Sequence, residues 1–260
     1  MLVTKKNYMN KIILITGATS GFGKAAAEQF AALGYHLIIT GRRKDRLDAV
    51  SNALQQQHAI KVLPLCFDVQ DRAAVFNTLT ELPDEWQAID ILINNAGLAA
   101  GRDSFEDASV DDWETMIDTN IKGLLYVSKA VAPFMMARKK GHVINIGSIA
   151  GKETYEKGNV YCASKEAVDA ISRAMRIDLL KYGIKVTAIH PGAAETEFSL
   201  VRFKGNEMAA AKIYEGYQPL TAHDVAAIIV YCAQLPAHVC INDLVVTPTA
   251  QANSFYMHKE

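Results

Sequence analysis

TGATSGFGK, Thr16 to Lys24, follows directly on the apolar run Ile12-Ile13-Leu14-Ile15 and places Gly17, Gly21 and Gly23 where a strand gives way to a helix. Glycine lets a backbone turn tightly and approach a ligand closely, and a helix starting there aims unpaired N–H groups at whatever lies in front of it. An anion is the natural guest. The spacing is G-x-x-x-G-x-G rather than the commoner G-x-G-x-x-G, but the phosphate logic is the same. The loop therefore offers Gly17, Thr19, Ser20, Gly21, Phe22 and Gly23 to a nucleotide.

Working outward, strand-like runs alternate with helix-like segments with no composition break, which predicts one domain over 1–260. The expected strands are 11–16, 36–40, 61–67, 89–95, 142–148, 185–190 and 243–248. Helical patterns fill the intervals, among them a continuous one over 113–141 and another over 159–183, each closed by a glycine. Strands joined by crossover helices form a doubly wound, seven-stranded parallel α/β sheet. Such sheets bind ligands at the carboxyl ends of their strands, so the loops that follow them should converge.

The end of the second strand selects the nucleotide. An NAD site needs a carboxylate there for the ribose 2′-hydroxyl, whereas this chain has Gly41-Arg42-Arg43. Guanidinium forks suit a 2′-phosphate, so NADP is the expected cofactor, with Arg42 and Arg43 as its ligands.

Composition narrows the partners. The chain carries 27 basic and 28 acidic residues without a run of either sign, which gives nucleic acid or an anionic membrane no foothold. No segment approaches the roughly 18 apolar residues of a membrane span. Cys66, Cys162, Cys232 and Cys240 are scattered without a C-x-x-C pair, which points to buried, reduced thiols in a cytoplasmic protein and to no metal site. The opening MLVTKKNYMNKIILITG only faintly mimics a signal peptide, and Met9 is a possible alternative start.

Tyr161 and Lys165, in YCASK, stand four residues apart on one helix face. A fixed positive charge beside a phenol, whose ordinary pKa is about 10, favours phenolate and suits general acid–base work. Ser148 ends the fifth strand on the nucleotide side, where its hydroxyl can bind a substrate oxygen. Asn120 sits inside a helix despite mediocre propensity, and NNAG, Asn94 to Gly97, ends the fourth strand with a flexible turn beside a cofactor.

In this order and spacing TGATSGFG, NNAG, Asn120, Ser148 and YCASK resemble the short-chain dehydrogenase/reductase family over nearly the whole chain. The resemblance implies a Rossmann fold, NADP or NAD, and a tetrad. In it Asn120 holds a proton-relay water, Ser148 binds the carbonyl, Tyr161 is the acid–base, and Lys165 holds the ribose and lowers the tyrosine's pKa. It also implies cofactor contacts at Asp68 and Val69, at Asn94, Ala96 and Gly97, and at Pro191, Gly192 and Thr196.

PGAAETEFSLVRFKGNE, LPAHVCIN, TGRRKDRL and DDWETMIDTN are similar to the NADP-dependent serine and 3-hydroxy acid dehydrogenases, usually homotetramers, which oxidise a β-hydroxyl on small acids or reduce the corresponding semialdehydes. Residues 193–215 are then a substrate loop, in which Arg202 and Lys204 are the clustered cations able to meet a substrate carboxylate. Arg202 is favoured for its fork. A general carbonyl or 3-oxoacyl reductase and a non-catalytic NADP-binding sensor remain as alternatives. His190 reads as a neutral histidine packed at a strand end, and the tail Phe255-Tyr256-Met257 as an interface between copies.

Overall fold

The computed structural model describes residues 11–260, so Met9 and the lysines before it lie outside the described residues. All seven expected strands form: β1 (Ile12–Ile15), β2 (His36–Gly41), β3 (Val62–Cys66), β4 (Ile89–Asn94), β5 (Gly141–Ile146), β6 (Ile184–Pro191) and β7 (Asp243–Val246). They build one parallel sheet in the order β3-β2-β1-β4-β5-β6-β7. The helices are α1 (Gly21–Ala32), α2 (Lys44–Gln57), α3 (Arg72–Thr80), α4 (Val110–Ile117), α5 (Leu124–Arg138), α6 (Asn159–Asp178), α7 (Glu197–Arg202), α8 (Glu207–Lys212) and α9 (Ala222–Gln234). None among the described residues is long and apolar enough to cross a membrane.

Both faces of the sheet are covered, which is why its strands read as continuous apolar runs rather than as alternating ones. Ile13 and Ile15 turn to one face and pack with Phe30 of α1 and Val225 and Ile229 of α9. Ile12 and Leu14 turn to the other and pack with Val75 of α3 and Val127 and Val131 of α5. Strand order reverses between β1 and β4, and the crevice at that switch point is where a doubly wound sheet receives its ligand.

The structure departs from the sequence reading in two places. The continuous helix expected over 113–141 is α4, a π-helical stretch Asp118–Gly123, and α5. It ends on Lys139, in the left-handed conformation at φ 50°, while Gly141 opens β5. Gly141 has a packing role instead, since a Cβ there would stand 2.5 Å from the Met135 sulfur. Cys162 and Cys232 are buried as expected, but Cys66, at the carboxyl end of edge strand β3, is exposed.

The glycine loop meets two different demands. Gly17 takes φ 67°, a region that side chains rarely adopt. Gly23 is held by close packing, because a Cβ there would lie 2.4 Å from Asn95 Nδ2 and 2.5 Å from the Gly17 carbonyl oxygen. Both neighbours belong to a packed turn. Gly23→Ala should therefore destabilise the protein by about 1–3 kcal/mol, read as a lowered urea midpoint at unchanged slope. An unchanged midpoint would show that the turn yields freely.

Candidate active site

A cavity of about 1030 Å³ opens at the carboxyl ends of the strands. That is the upper end of the usual range for small-molecule sites, about 300–1,000 Å³, and leaves room for a large cofactor beside a small substrate. One side is the glycine loop. Ser20, the residue before α1, makes no side-chain cap, so the N–H groups of the first turn are left to face the cavity. Arg42 and Arg43 line the same side. Arg42 lies 3.4 Å from Asp68, and Arg43 reaches Glu197 at 3.4 Å and Thr19 at 3.3 Å. These pairs are long and largely exposed, so they hold the guanidinium groups weakly and leave donors for a phosphate. The two positions directly after β2 are arginines rather than a carboxylate, and the residues present fit a 2′-phosphorylated dinucleotide.

The opposite side holds Ser148, Tyr161 and Lys165. Ser148 follows β5 and caps a 3₁₀ turn over Ile149–Gly151, its Oγ accepting from the Ala150 amide at 3.1 Å. Tyr161 and Lys165, one turn apart on α6, face the same cavity. Burial holds the Tyr161 phenol well above its ordinary pKa, and the neighbouring Tyr155 adds to this. A hydrogen bond with the Ser148 hydroxyl and the Arg202 guanidinium work in the other direction. Lys165 is itself pushed down to about 8 by burial, and its Nζ donates to the Ile146 carbonyl at 3.0 Å. Arg202 is thus a cation whose charge acts to lower the phenol against the effect of burial.

Arg202, at the end of α7, is buried, being 7% exposed. Its Nε donates to the Gly101 carbonyl at 3.2 Å and its Nη1 to the Tyr155 hydroxyl at 3.0 Å. The guanidinium carbon stands 5.4 Å from the centre of the Tyr161 ring, and Nη2 is buried with no partner. A buried, unpaired guanidinium donor at a cavity wall is costly unless an anion arrives to meet it.

Four sequence-predicted residues do not line the cavity. Lys204 turns away and pairs with Asp112 of α4 at 2.9 Å, its chain left-handed at φ 51°. Asn94 is spent inside the sheet, donating to Ser128 at 2.8 Å and to Asn145 at 2.9 Å. Its neighbour Asn95 reaches the site instead. Strand alternation sends adjacent side chains to opposite faces, so only one asparagine of the NNAG turn can do so. Asn120 lies in the π-helical stretch, and its amide is committed to the Leu98 N–H at 2.9 Å, the Leu98 carbonyl at 2.8 Å and Ser164 at 3.0 Å. Gly23 sits behind the loop, against Gly17 and Asn95. The remaining predicted residues line the cavity: Gly17, Thr19, Ser20, Gly21, Phe22, Arg42, Arg43, Asp68, Val69, Ala96, Gly97, Ser148, Tyr161, Lys165, Pro191, Gly192, Thr196 and Arg202.

Sequence reasoning missed Tyr155 and Gln251. Gln251 Oε1 accepts from the Ala193 amide at 2.8 Å and fastens the tail beside the substrate loop. Tyr155 lies in a charged loop with no periodic signal, and Gln251 is far from every motif.

The chain is similar in sequence and fold to known proteins. The short chain dehydrogenase family model matches residues 11–206, and the chain belongs to that family of oxidoreductases. It is 47% identical over 242 residues to the NADP-dependent 3-hydroxy acid dehydrogenase YdfG of Salmonella typhi, covering 93% of this chain and 96% of that one. It is 46% identical to sulfoacetaldehyde reductase 2 of Chromohalobacter salexigens, covering 95% and 98%. Among solved structures, the closed form of serine dehydrogenase complexed with NADP+ superposes with a TM-score of 0.89 at 46% identity, covering 96% of this chain and all of that one.

The Lys165 environment has a consequence for stability. Between pH 8 and the ordinary lysine pKa near 10.5 the unfolded chain binds more protons than the folded one, so this residue makes stability rise with pH across that window. Relative to a Lys165→Met variant, the cofactor-free protein should gain up to about 3 kcal/mol between pH 7 and pH 10.5 in urea unfolding. A constant difference between the two proteins would refute the buried ammonium.

Proposed function

We propose that this protein is an NADP-dependent oxidoreductase that transfers hydride between NADP and the β-hydroxyl of small 3-hydroxy acids or β-hydroxy amino acids, running in reverse on the matching semialdehydes. The observation that carries the reading is Arg202: a guanidinium 7% exposed, with Nη2 unpaired, set 5.4 Å from the Tyr161 ring. A substrate anion on Nη2 would place a carbon chain of two or three atoms toward the Tyr161 and Ser148 hydroxyls. The names of the similar enzymes, acting on 3-hydroxy acids, serine and sulfoacetaldehyde, agree in combining a small size with an anionic head.

NADP, when bound, accepts or supplies the hydride. The glycine loop and the first turn of α1 would hold its phosphates, Arg42 and Arg43 the 2′-phosphate, and Lys165 the ribose. In the oxidation, Tyr161 must first release its own proton to solvent, after which the phenolate Oη takes the proton of the substrate hydroxyl, with Ser148 hydrogen-bonding the same oxygen as charge develops. In the reduction, the raised Tyr161 pKa keeps the phenol loaded with the proton it must donate. Asn120 acts through Leu98, fixing the loop that passes Lys165, since a Cβ on Gly97 would lie 3.2 Å from Asn120 Oδ1 and 3.3 Å from Lys165 Nζ.

The reading extends to a cytoplasmic homotetramer. Ile177 at the end of α6, Leu180 in the 3₁₀ turn that follows it, and Phe255 and Tyr256 in the tail, are large apolar side chains left facing solvent in the single chain, and burial between copies would cover them.

Tyr161→Phe should lower turnover by roughly 10²–10⁴-fold while NADP binding, followed by fluorescence titration, is retained. Retained turnover would remove the acid–base assignment. Arg202→Ala should raise KM for 3-hydroxypropionate or L-serine about 10- to 100-fold with little change for an uncharged alcohol. A response confined to uncharged substrates would move the enzyme to the general carbonyl reductases, and no turnover across carbonyls would favour the sensor. Arg42→Ala should raise KM for NADP more than for NAD, and equal effects would withdraw Arg42 from the 2′-phosphate.

A further inference from the structure

Behind the catalytic residues lies a polar cluster that the proposed reaction does not use. His190, on β6, is fully buried. Its Nδ1 is 3.2 Å from the backbone carbonyl oxygen of Ser148, and its Nε2 is 3.0 Å from Asp243 Oδ1 and 3.8 Å from Asp169 Oδ1. Asp169 lies on α6 one turn beyond Lys165 and two beyond Tyr161. Three ligand atoms converging in this way resemble a metal site, but the Lys152 ammonium already fills the cation position, 3.0 Å from Asp169 and 2.6 Å from Asp243. Arg173 adds a second cation at 2.5 Å from Asp169. The cluster is an ion network, buried at His190 and Asp169 and open to solvent at Asp243 and Arg173, that ties the end of β5, through β6 and β7, to the helix bearing the acid–base pair.

The histidine is placed with care. A Cβ on Gly147 would fall 2.5 Å from Nδ1, so the bare backbone before Ser148 is what admits the ring. The Ser148 carbonyl, a pure acceptor, is held by the Gly151 amide at 2.9 Å and by His190. The contact is a hydrogen bond when Nδ1 carries the proton. Nε2 lies close to Asp243 but makes no aligned hydrogen bond. The directed contact of the ring is the one to Ser148. Two donors on one carbonyl fix the peptide plane, and with it the direction in which the Ser148 hydroxyl leaves the chain.

We propose that His190 is a positioning residue for the reaction: its Nδ1–H, donated to the Ser148 carbonyl, sets the Ser148 hydroxyl against Tyr161. The proposal rests on the role given to Ser148 above. Its structural alternative is a histidine that merely fills the core. The two differ in what a side-chain amide can replace, because an asparagine amide reproduces the position of Nδ1 and a glutamine amide that of Nε2.

The test compares His190→Leu, His190→Asn and His190→Gln with Ser148→Ala and with the Ser148→Ala/His190→Leu double variant. Rates are read on whichever charged or uncharged alcohol the wild type turns over fastest with NADP, so that failure of the substrate reading leaves the comparison intact. NADP binding is measured separately, by fluorescence titration without substrate. His190→Leu should lose about tenfold or more in kcat while the Kd for NADP stays within about twofold. His190→Asn should recover most of that loss, His190→Gln should not, and the double variant should be no slower than Ser148→Ala alone. Wild-type kcat in His190→Leu, loss of NADP binding in parallel with kcat, an additive double variant, or an asparagine variant no better than the glutamine one would each overturn the proposal. Full activity in Ser148→Ala would overturn it together with the role of Ser148; an inactive Ser148→Ala beside a fully active His190→Leu would overturn the positioning alone.

Discussion

Thr16 and Asn95 clasp the carboxyl ends of β1 and β4 where the strand order reverses. Asn95 Nδ2 donates to the Thr16 carbonyl at 2.8 Å and the Gly17 carbonyl at 3.2 Å. Thr16 Oγ1 accepts from the Asn95 amide at 3.0 Å and the Ala96 amide at 2.9 Å. Splayed loops at a switch point expose backbone groups on both sides, and this reciprocal set satisfies them without closing the crevice. The clasp also explains the glycines. Asn95 Nδ2 lies 3.1 Å from where a Gly17 Cβ would stand and 2.4 Å from that of Gly23, so the same contact that joins the two strands demands bare backbone in the phosphate loop.

Behind that crevice the fold places ionisable groups where water cannot solvate them. Burial moves the Tyr161 phenol up and the Lys165 ammonium down to about 8, each toward its neutral form. Arg202 sits beside them, and two of its three nitrogens are hydrogen-bonded to protein. The remaining donor is an uncompensated polar group held in place by the folding of α7. In the proposed reaction this donor would favour a ligand bearing an anion, since one lacking it would leave Nη2 unpaired.

The alternation of apolar runs with helical periods was enough to specify seven parallel strands, since a sheet covered on both faces writes itself as continuous hydrophobicity. The cavity walls near each strand end were legible for the same reason: position along a strand fixes position in the crevice. What stayed hidden depends on side-chain direction and on distant contacts. NNAG does not say which asparagine faces the sheet interior, and only the pleat assigns Asn94 to Ser128 and Asn145. The sequence favours Arg202 over Lys204 only for its fork, whereas the structure separates them because α7 ends between them, which turns one inward and the other to Asp112. His190 read as a core histidine and is indeed buried, but its contact with Ser148 crosses from β6 to β5 and leaves no trace in local sequence.

The short helix α7 joins the two halves of the site more directly than the sheet does. Its first residue, Glu197, faces Arg43 at 3.4 Å and Arg46 at 3.0 Å, on the side where the glycine loop and Arg42 lie. Its last, Arg202, lies against Tyr155 and the Tyr161 ring. Thr196 caps the helix through its side chain, accepting from the Phe198 amide at 3.2 Å, and itself lines the cavity. Six residues thus place an acid among the arginines at one end and an arginine beside Tyr155 and Tyr161 at the other. The Glu197 pairs are solvent-exposed and individually weak, whereas the Arg202 contacts are buried, so the two ends are held with unequal strength. A displacement of α7 therefore costs least at the arginine-rich end, with Arg202 as the fixed point.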